Sequence, residues 1–209
     1  MKKLVVFDLD GTLHHTEHAM SPAVARAVRD ITGKPEPSYD LINPLYGEPL
    51  EMFCRVLAGT EDPIMIKKFH ERVQFHQAVT LPVSGALYPG VRQMLEELQL
   101  RGYDLAVLSN AHRDYIVLVT ETLGIKELFI SLTGRSREAS KTARLAELGR
   151  GYDLTVMVGD RYHDIQAGLE NAMPVIACSY GYGKHEELQG AIKAGSVEEI
   201  VPLIEKILT

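Results

Sequence analysis

The fold is decided by residues 4–12, which read Leu4-Val5-Val6-Phe7-Asp8-Leu9-Asp10-Gly11-Thr12. Four consecutive apolar residues at the start of this stretch predict a buried β-strand. The strand is followed at once by two carboxylates, Asp8 and Asp10, and then by Gly11, which permits a sharp turn. Burying a carboxylate without a partner is costly, so this pattern indicates a divalent cation or a chemical role there. In an open parallel sheet, ligands bind at the carboxyl ends of the strands, which is where both carboxylates are expected.

The composition is that of an ordinary globular protein of 209 residues, with a formal net charge of −6. This length fits one large domain, or one domain with a smaller insert. The acidic charge disfavours nucleic acid and anionic membranes as partners. The apolar run after Lys3 is too short for a signal peptide, and no stretch is long enough to span a membrane. Cys54 and Cys178 lack a C-x-x-C context, so we interpret both as reduced thiols and expect a cytoplasmic protein.

Residues 20–80 show helical periodicity and no convincing strand, which predicts a small all-helical block. Ser21 and Pro22 are predicted to be the N-cap and the first turn of its first helix. A second helix is expected to end at Gly59, and a third near Val79.

From Tyr88 onward, helices and strands alternate, with further strands predicted at residues 105–108, 129–132, 154–158 and 174–178. Asn171 is predicted to end a helix in the left-handed conformation. Residues 196–199 form a predicted capping box for the last helix, which Pro202 either kinks or delays. This alternation predicts an α/β fold, a doubly wound Rossmann-like parallel sheet with helices on both faces and a helical insert after the first strand.

Reactive side chains stand directly after a predicted strand or at a helix start in four places: Asp8 with Asp10, Ser109, Lys141, and Asp160 with Asp164. Together they suit phosphoryl transfer, which needs a nucleophile and positive charge or donors around the transferred oxygens. Asp8 is the candidate nucleophile, and Asp10 is the candidate acid and base.

The remaining candidates would hold the phosphate and a cation. Ser109 offers a hydroxyl and a backbone N–H, and Lys141 places a positive charge at a helix N-terminus. Asp160 and Asp164 are hard oxygen ligands suited to Mg²⁺. Three other cations could replace Lys141 in this role, namely Arg135, Arg137 and Arg144.

Simpler roles are open for each of these positions. Asp8 and Asp10 could form a solvated turn, Ser109 and Asp160 could cap helices, and Lys141 could be a surface cation. A zinc site at His14, His15 and His18 is a weaker hypothesis, because no cysteine or acidic pair completes it.

The constellation resembles the haloacid dehalogenase superfamily of phosphohydrolases. Residues 8–13 resemble its first motif, residues 108–110 its second, Lys141 the lysine of its third, and residues 159–164 its fourth, metal-binding motif. The helical block resembles the family's four-helix cap. The resemblance therefore implies a core of residues 1–15 and 84–209 and a cap of residues 16–83. Gly181-Tyr182-Gly183 is similar to the same region of phosphoglycolate phosphatases.

The resemblance implies a phosphatase that acts on a small phosphorylated metabolite, such as phosphoglycolate, through an aspartyl phosphate on Asp8. It implies Mg²⁺ as the cofactor, with the ligands Asp8, Asp10 (through its backbone carbonyl), Asp160 and Asp164. It assigns substrate binding to Thr12, Asn110, Tyr46 and Gly47. The alternatives are a phosphomutase, a pyrophosphatase or nucleotidase of the same superfamily, a dehalogenase, and a non-catalytic phosphate-binding regulator. The oligomeric state is not encoded in any of these motifs.

Overall fold

The computed structural model describes residues 1–207, apart from the side chain of Leu50. The chain forms two compact units, one of Met1–His14 with Leu87–Thr209 and the other of His15–Ala86. We refer to them as the core unit and the helical unit. Within the described residues, none of the helices combines the length and the apolar character that crossing a membrane requires.

The strands are β1 (Lys3–Phe7), β2 (Tyr103–Leu108), β3 (Ser131–Thr133), β4 (Leu154–Gly159), β5 (Val175–Cys178) and β6 (Ile192–Ala194). The α-helices are α1 (Glu17–Thr32), α2 (Tyr39–Ile42), α3 (Leu50–Phe53), α4 (Pro63–Ser84), α5 (Val91–Leu100), α6 (Arg113–Thr122), α7 (Lys141–Leu148), α8 (Tyr162–Glu170) and α9 (Ile200–Ile207). Short 3₁₀ turns cover Asn43–Leu45, Lys126–Leu128, His185–Leu188 and Val197–Glu199, and a π-helical turn covers Cys54–Ala58.

The core unit is built on a sheet of six strands in the order β3-β2-β1-β4-β5-β6. Every neighbouring pair is parallel. In β1, Leu4 and Val6 pack into a cluster with Leu145 of α7 and Ile165 of α8. Side chains alternate along a strand, so Val5 and Phe7 point to the opposite face, where both are fully buried. A parallel sheet that is buried on both faces confirms the predicted doubly wound α/β fold.

The strand register brings the functional segments together. Phe7 pairs with Val107 of β2 on one side and with Val158 of β4 on the other. The residues that follow these strands therefore leave the sheet side by side, at its carboxyl edge. This edge is where a sheet of this type binds its ligands.

Three local predictions in the core unit are corrected. Asn171 has φ of −91° and is not left-handed, because Ala172, with φ of 52°, makes that turn. The strand predicted at 129–132 lies at Ser131–Thr133, since the Phe129 N–H closes the preceding 3₁₀ turn on Lys126. Residues 196–199 form a 3₁₀ turn without a side-chain cap at Ser196, and the helix itself starts at Ile200. Strand β6 was missed because it is only three residues long.

In the helical unit, α1 starts at Glu17 and carries Pro22 inside it, so the predicted start at Ser21 is wrong. The Ser21 hydroxyl faces the interior instead, donating to Asn43 Oδ1 at 2.6 Å and lying 2.9 Å from the Tyr46 hydroxyl. Gly59 ends the second helical segment in the left-handed conformation, as predicted. Helix α4 continues past Val79 to Ser84, with Pro82 inside it. Pro22 and Pro82 therefore do not mark the ends of these two helices.

Candidate active site

Asp8 occupies the first position after β1, in the middle of the sheet edge. Its backbone N–H donates to the carbonyl oxygen of Val158 at 2.8 Å, which continues the pairing of β1 with β4. The residue is less than a tenth exposed. Burial raises the pKa of its carboxyl group well above the ordinary value, and neighbouring Asp164 and Asp160 raise it further, against the opposing effect of Lys141. The backbone therefore holds a carboxylate where water stabilises it poorly.

Lys141 is the cation that meets Asp8. It is the first residue of α7, whose N-cap, Ser140, accepts a hydrogen bond from the Ala143 N–H at 3.1 Å. The Lys141 Nζ lies 2.6 Å from Asp8 Oδ1 and 2.5 Å from Asp164 Oδ1, so the ammonium group bridges the two carboxylates. Burial lowers the pKa of Lys141, but Asp164 and Asp8 outweigh it and leave the pKa above its usual value. The amine therefore stays charged at neutral pH.

Asp160 and Asp164 follow β4 and enter α8. Asp160 is fully buried; its Oδ2 accepts from the Tyr182 N–H at 2.7 Å, and its Oδ1 accepts from the Thr12 hydroxyl at 3.3 Å. Asp164 Oδ2 accepts from the Arg161 N–H at 2.9 Å, which fixes the start of α8. Thr12, predicted to bind substrate, thus orients Asp160 in the structure.

Glycines let the backbone approach Asp160 closely. A Cβ on Gly183 would lie 1.8 Å from the Asp160 carbonyl oxygen, and one on Gly11 would lie 2.3 Å from Asp160 Oδ2. Gly11 also has φ of 82°, a conformation that other residues rarely adopt. The glycines of the first motif and of Gly181-Tyr182-Gly183 are therefore required by the close packing around Asp160, both its backbone and its side chain.

The donor set fits a hard divalent cation. Carboxylate oxygens of Asp8, Asp160 and Asp164 lie within 4.8 Å of one another, and all three residues are buried. Lys141 faces these three acidic groups. Burial raises the pKa of Asp160 to about 7, and the nearby charge of Asp164 is the second cause of this rise. An oxygen-only site with excess negative charge is what Mg²⁺ prefers. Among the described residues, this group does not include the side chain of Asp10, whose predicted metal contact is through its backbone carbonyl.

Ser109 follows β2 beside Asp8. Its backbone N–H, which we predicted would bind phosphate, donates instead to the Thr133 carbonyl at 3.0 Å and extends the pairing with β3. The Ser109 Oγ accepts from the Ala111 N–H at 3.0 Å, which leaves the hydroxyl hydrogen as its donor. The part of the prediction that invoked the N–H is wrong, because the sheet continues one residue further than the apolar run indicated.

Arg144 holds the loop that carries Ser109 and Asn110. Its guanidinium donates to the carbonyl oxygens of Ser109 at 2.9 Å and Gly134 at 2.5 Å, and to Asn110 Oδ1 at 3.1 Å. Burial lowers the pKa of Arg144, against the opposing effect of Asp8. The structure therefore places Lys141 against Asp8. Arg144, one of the cations that could have replaced Lys141, instead holds the loop of Ser109 and Asn110 in place. The side-chain oxygen of Asn110 accepts one of the hydrogen bonds from Arg144.

Asp10 is held by two residues that the sequence analysis did not assign to it. Its Oδ1 accepts from the Tyr115 hydroxyl at 2.6 Å and lies 3.2 Å from His14 Nδ1. The Asp10 side chain is 13% exposed, whereas that of His14 is fully buried. Tyr115 lies in the first turn of α6. Nothing in the spacing of the sequence marks it as a partner of Asp10.

Comparisons with known proteins give the same picture as the geometry. The family model of haloacid dehalogenase-like hydrolases matches residues 5–178. The chain belongs to the haloacid dehalogenase-like hydrolase family. It is 33% identical over 197 residues to a phosphoglycolate phosphatase of Pasteurella multocida, covering 86% of this chain and 87% of that one. It is 30% identical over 204 residues to the protein named "Probable phosphatase IndB" of Dickeya dadantii, covering 91% and 87%.

The fold is shared with haloacid dehalogenase-like proteins of known structure. The crystal structure of a predicted phosphatase from Clostridium acetobutylicum superimposes with a TM-score of 0.85 at 23% identity, over 99% of each chain. At this identity the match shows the fold alone. The match of the family model to residues 5–178 confirms the family resemblance drawn from the sequence, and with it the expectation of a hydrolase.

The other predicted residues belong to the helical unit. Tyr46 is buried there, with its hydroxyl beside Ser21, and Gly47 follows it with φ of 89°. The rings of His15 and His18 stack with centroids 3.9 Å apart, and their ligand atoms lie within 4.8 Å of Glu17. His14 contacts Asp10 in the core unit. Glu17 is thus the acidic side chain that accompanies His15 and His18.

Proposed function

We propose that this protein is a Mg²⁺-dependent phosphomonoesterase that acts on a small phosphorylated metabolite through an aspartyl phosphate on Asp8. The observation that carries the proposal is the placement of Asp8. Its carboxylate ends a buried strand, touches the ammonium group of Lys141, and lies within 4.8 Å of carboxylate oxygens of Asp160 and Asp164. A nucleophile next to a fixed cation and a candidate metal site is what phosphoryl transfer requires.

Asp8, Asp160 and Asp164 would hold the cation with their side chains, and Asp10 would do so with its backbone carbonyl. When bound, Mg²⁺ would neutralise charge on the transferred phosphoryl oxygens and so offset the repulsion from the surrounding carboxylates. Lys141 and the hydroxyl of Ser109 would bind the other phosphoryl oxygens. Thr12 supports this arrangement by donating to Asp160.

The residues then divide the chemistry between them. A carboxylate oxygen of Asp8 attacks phosphorus, the bond from phosphorus to the ester oxygen breaks, and Asp10 gives its proton to the departing alcohol. Water next attacks the phosphorus of the aspartyl phosphate, and Asp10 takes a proton from that water. The acyl–phosphate bond breaks, inorganic phosphate leaves, and both aspartates return to their starting forms.

Phosphoglycolate is the first substrate we propose, because relatives over most of the chain carry that name and Gly181-Tyr182-Gly183 resembles theirs. We also propose that the helical unit acts as the family's cap, with Tyr46 and Gly47 selecting the leaving group. Asn110 would help to orient the substrate while its side chain stays bound to Arg144.

The test is phosphate release from a panel of substrates, with Mg²⁺ and with EDTA. The panel comprises phosphoglycolate, sugar phosphates, nucleoside monophosphates and pyrophosphate. We expect metal-dependent release from at least one ester, and a loss of about 10³-fold or more in Asp8→Asn. Asp153→Asn is the control, because Asp153 is an exposed carboxylate outside the site. Wild-type activity in Asp8→Asn would refute the mechanism, and an isomerised phosphoester in place of free phosphate would identify a mutase.

A further inference from the structure

The Oδ1 oxygen of Asp10 contacts two side chains of the core unit. The Tyr115 hydroxyl donates to Oδ1 at 2.6 Å, and His14 Nδ1 lies 3.2 Å from the same oxygen. The Tyr115 hydroxyl and His14 Nδ1 are themselves 3.4 Å apart. Because the tyrosine donates to Oδ1, the tautomer of His14 with hydrogen on Nδ1 supplies a second donor to that oxygen.

Both partners are rigidly placed. His14 is fully buried, its N–H donates to the Leu9 carbonyl at 2.8 Å, and its carbonyl accepts from Gly11 at 3.0 Å. Tyr115 lies in the first turn of α6, just beyond the loop that Arg144 braces. The carboxylate therefore meets a fixed pair of donors from two separate parts of the core unit.

We propose that Tyr115 and His14 are positioning residues, which hold Oδ1 of Asp10 and so orient its carboxyl group for proton transfer. This inference rests on the proposed phosphatase function and assigns to the reaction two residues beyond its reacting groups. The terminal torsion of an aspartate is broad and roughly two-fold, so an unanchored carboxylate samples many orientations. Anchoring Oδ1 selects one of them before the substrate arrives, which lowers the cost of orienting the acid.

The leaving group supplies a readout that a purely structural role would not change. Cleaving an alkyl phosphate requires a proton on the departing oxygen, whereas p-nitrophenolate leaves without one. The ratio kcat/KM reports steps up to the first irreversible one, which here is release of the alcohol, so hydrolysis of the aspartyl phosphate does not enter it. A misplaced Asp10 should therefore lower kcat/KM for the alkyl ester selectively.

The experiment compares Tyr115→Phe with wild type on phosphoglycolate and on p-nitrophenyl phosphate. A hydrogen bond to a charged group contributes about 1.5–3 kcal/mol, so we expect kcat/KM for phosphoglycolate to fall about 10- to 100-fold. We expect less than about a three-fold change for p-nitrophenyl phosphate. If phosphoglycolate is not a substrate, the alkyl phosphate found most active in the panel takes its place. The matched control is Tyr152→Phe, which removes a hydroxyl donating to Asp104 at 2.8 Å and should change neither value.

A second arm isolates Asp10. In an Asp10→Asn background, adding Tyr115→Phe should cause no further loss, because the group being positioned no longer transfers a proton. His14→Asn, which can keep a side-chain donor near the Nδ1 position, should retain more alkyl phosphatase activity than His14→Leu. Equal losses on both esters in Tyr115→Phe, or losses that add to those of Asp10→Asn, would overturn the positioning role alone. Wild-type protein that cleaves neither ester nor any panel substrate would overturn the proposed function and this inference with it.

Discussion

Replacing Lys141 by methionine would leave two buried carboxylates without the ammonium group that now bridges them. Methionine keeps most of the length and the packing of the lysine side chain, so the change removes chiefly the charge. Lys141 Nζ lies 2.6 Å from Asp8 and 2.5 Å from Asp164, and all three side chains are at most a tenth exposed. Removing one partner of a buried ion pair typically costs about 3–5 kcal/mol, because the remaining charge is left uncompensated.

The assay is urea unfolding, followed by far-UV circular dichroism in EDTA near pH 7.5. With a denaturant dependence of about 2 kcal/mol per molar, a loss of about 4 kcal/mol lowers the urea midpoint by about 2 M. Lys126→Met is the matched control, because Lys126 pairs with Glu121 at the same 2.6 Å but with side chains 38% and 51% exposed. An exposed pair is screened by water and contributes little, so the control midpoint should barely move.

The loss in Lys141→Met should also depend on pH. Without the lysine, the folded-state pKa of Asp8 rises further above its ordinary value, so the folded state binds protons that the unfolded state does not. A group of this kind lowers the free energy of unfolding as pH rises, and that free energy recovers as pH falls. The penalty should therefore shrink as pH falls from neutral toward 3.8, the ordinary value of the Asp8 pKa, because protonation of Asp8 removes the uncompensated charge. Equal midpoints for Lys141→Met and Lys126→Met across this range would refute the reasoning that burial amplifies the Lys141 pairs.

Two further outcomes are expected. Mg²⁺ should raise the thermal unfolding temperature of the wild-type protein, since a ligand at 100 times its dissociation constant stabilises a fold by about 2.7 kcal/mol. Asp160→Asn should lose this shift, and the control Asp153→Asn should keep it. An undiminished shift in Asp160→Asn would place the cation elsewhere. In the helical unit, hydrogen bonds from Arg72 and His76 lower the pKa of Asp30 from 3.8 to about 2, so the stability they provide is present above the unfolded value and is lost as pH falls through the folded one. Asp30→Asn should therefore unfold at a lower urea concentration than wild type at pH 6, with the difference declining as Asp30 becomes protonated; a difference that is constant with pH would contradict this.

Local signals predicted much of the core unit correctly. The apolar runs of β1, β2, β4 and β5 were located to within one or two residues, because a strand buried on both faces leaves little choice of residue type. The cap of α7 is also local, since the contact from the Ala143 N–H to Ser140 spans only three residues. Errors occurred where tertiary packing overrides a local rule. Pro22 lies inside the helix that it was expected to start, the helix predicted to end near Val79 continues to Ser84, and Ala172 takes the left-handed turn assigned to Asn171.

The site shows the same division between local and long-range information. The sequence by itself determined that Asp8, Ser109 and Asp160 each follow a buried strand, which is enough to bring them to one edge of a parallel sheet. It could not decide which of four cations would reach Asp8, or that the Ser109 N–H would be used by β3. Those outcomes depend on strand register and on the angle at which α7 leaves its loop.

The two carboxylates within residues 4–12 show what a sequence pattern cannot predict. Periodicity fixes which side of an element is buried, and it fixes the spacing of Asp8 and Asp10 along the chain. It contains no information on contacts between residues 105 positions apart, such as the bond from Tyr115 to Asp10. Only the tertiary structure separates the two aspartates, placing Asp8 among Lys141, Asp160 and Asp164 and placing Asp10 against Tyr115 and His14. The physical reason is that hydrogen bonds and ion pairs depend on positions in space to within a few tenths of an ångström.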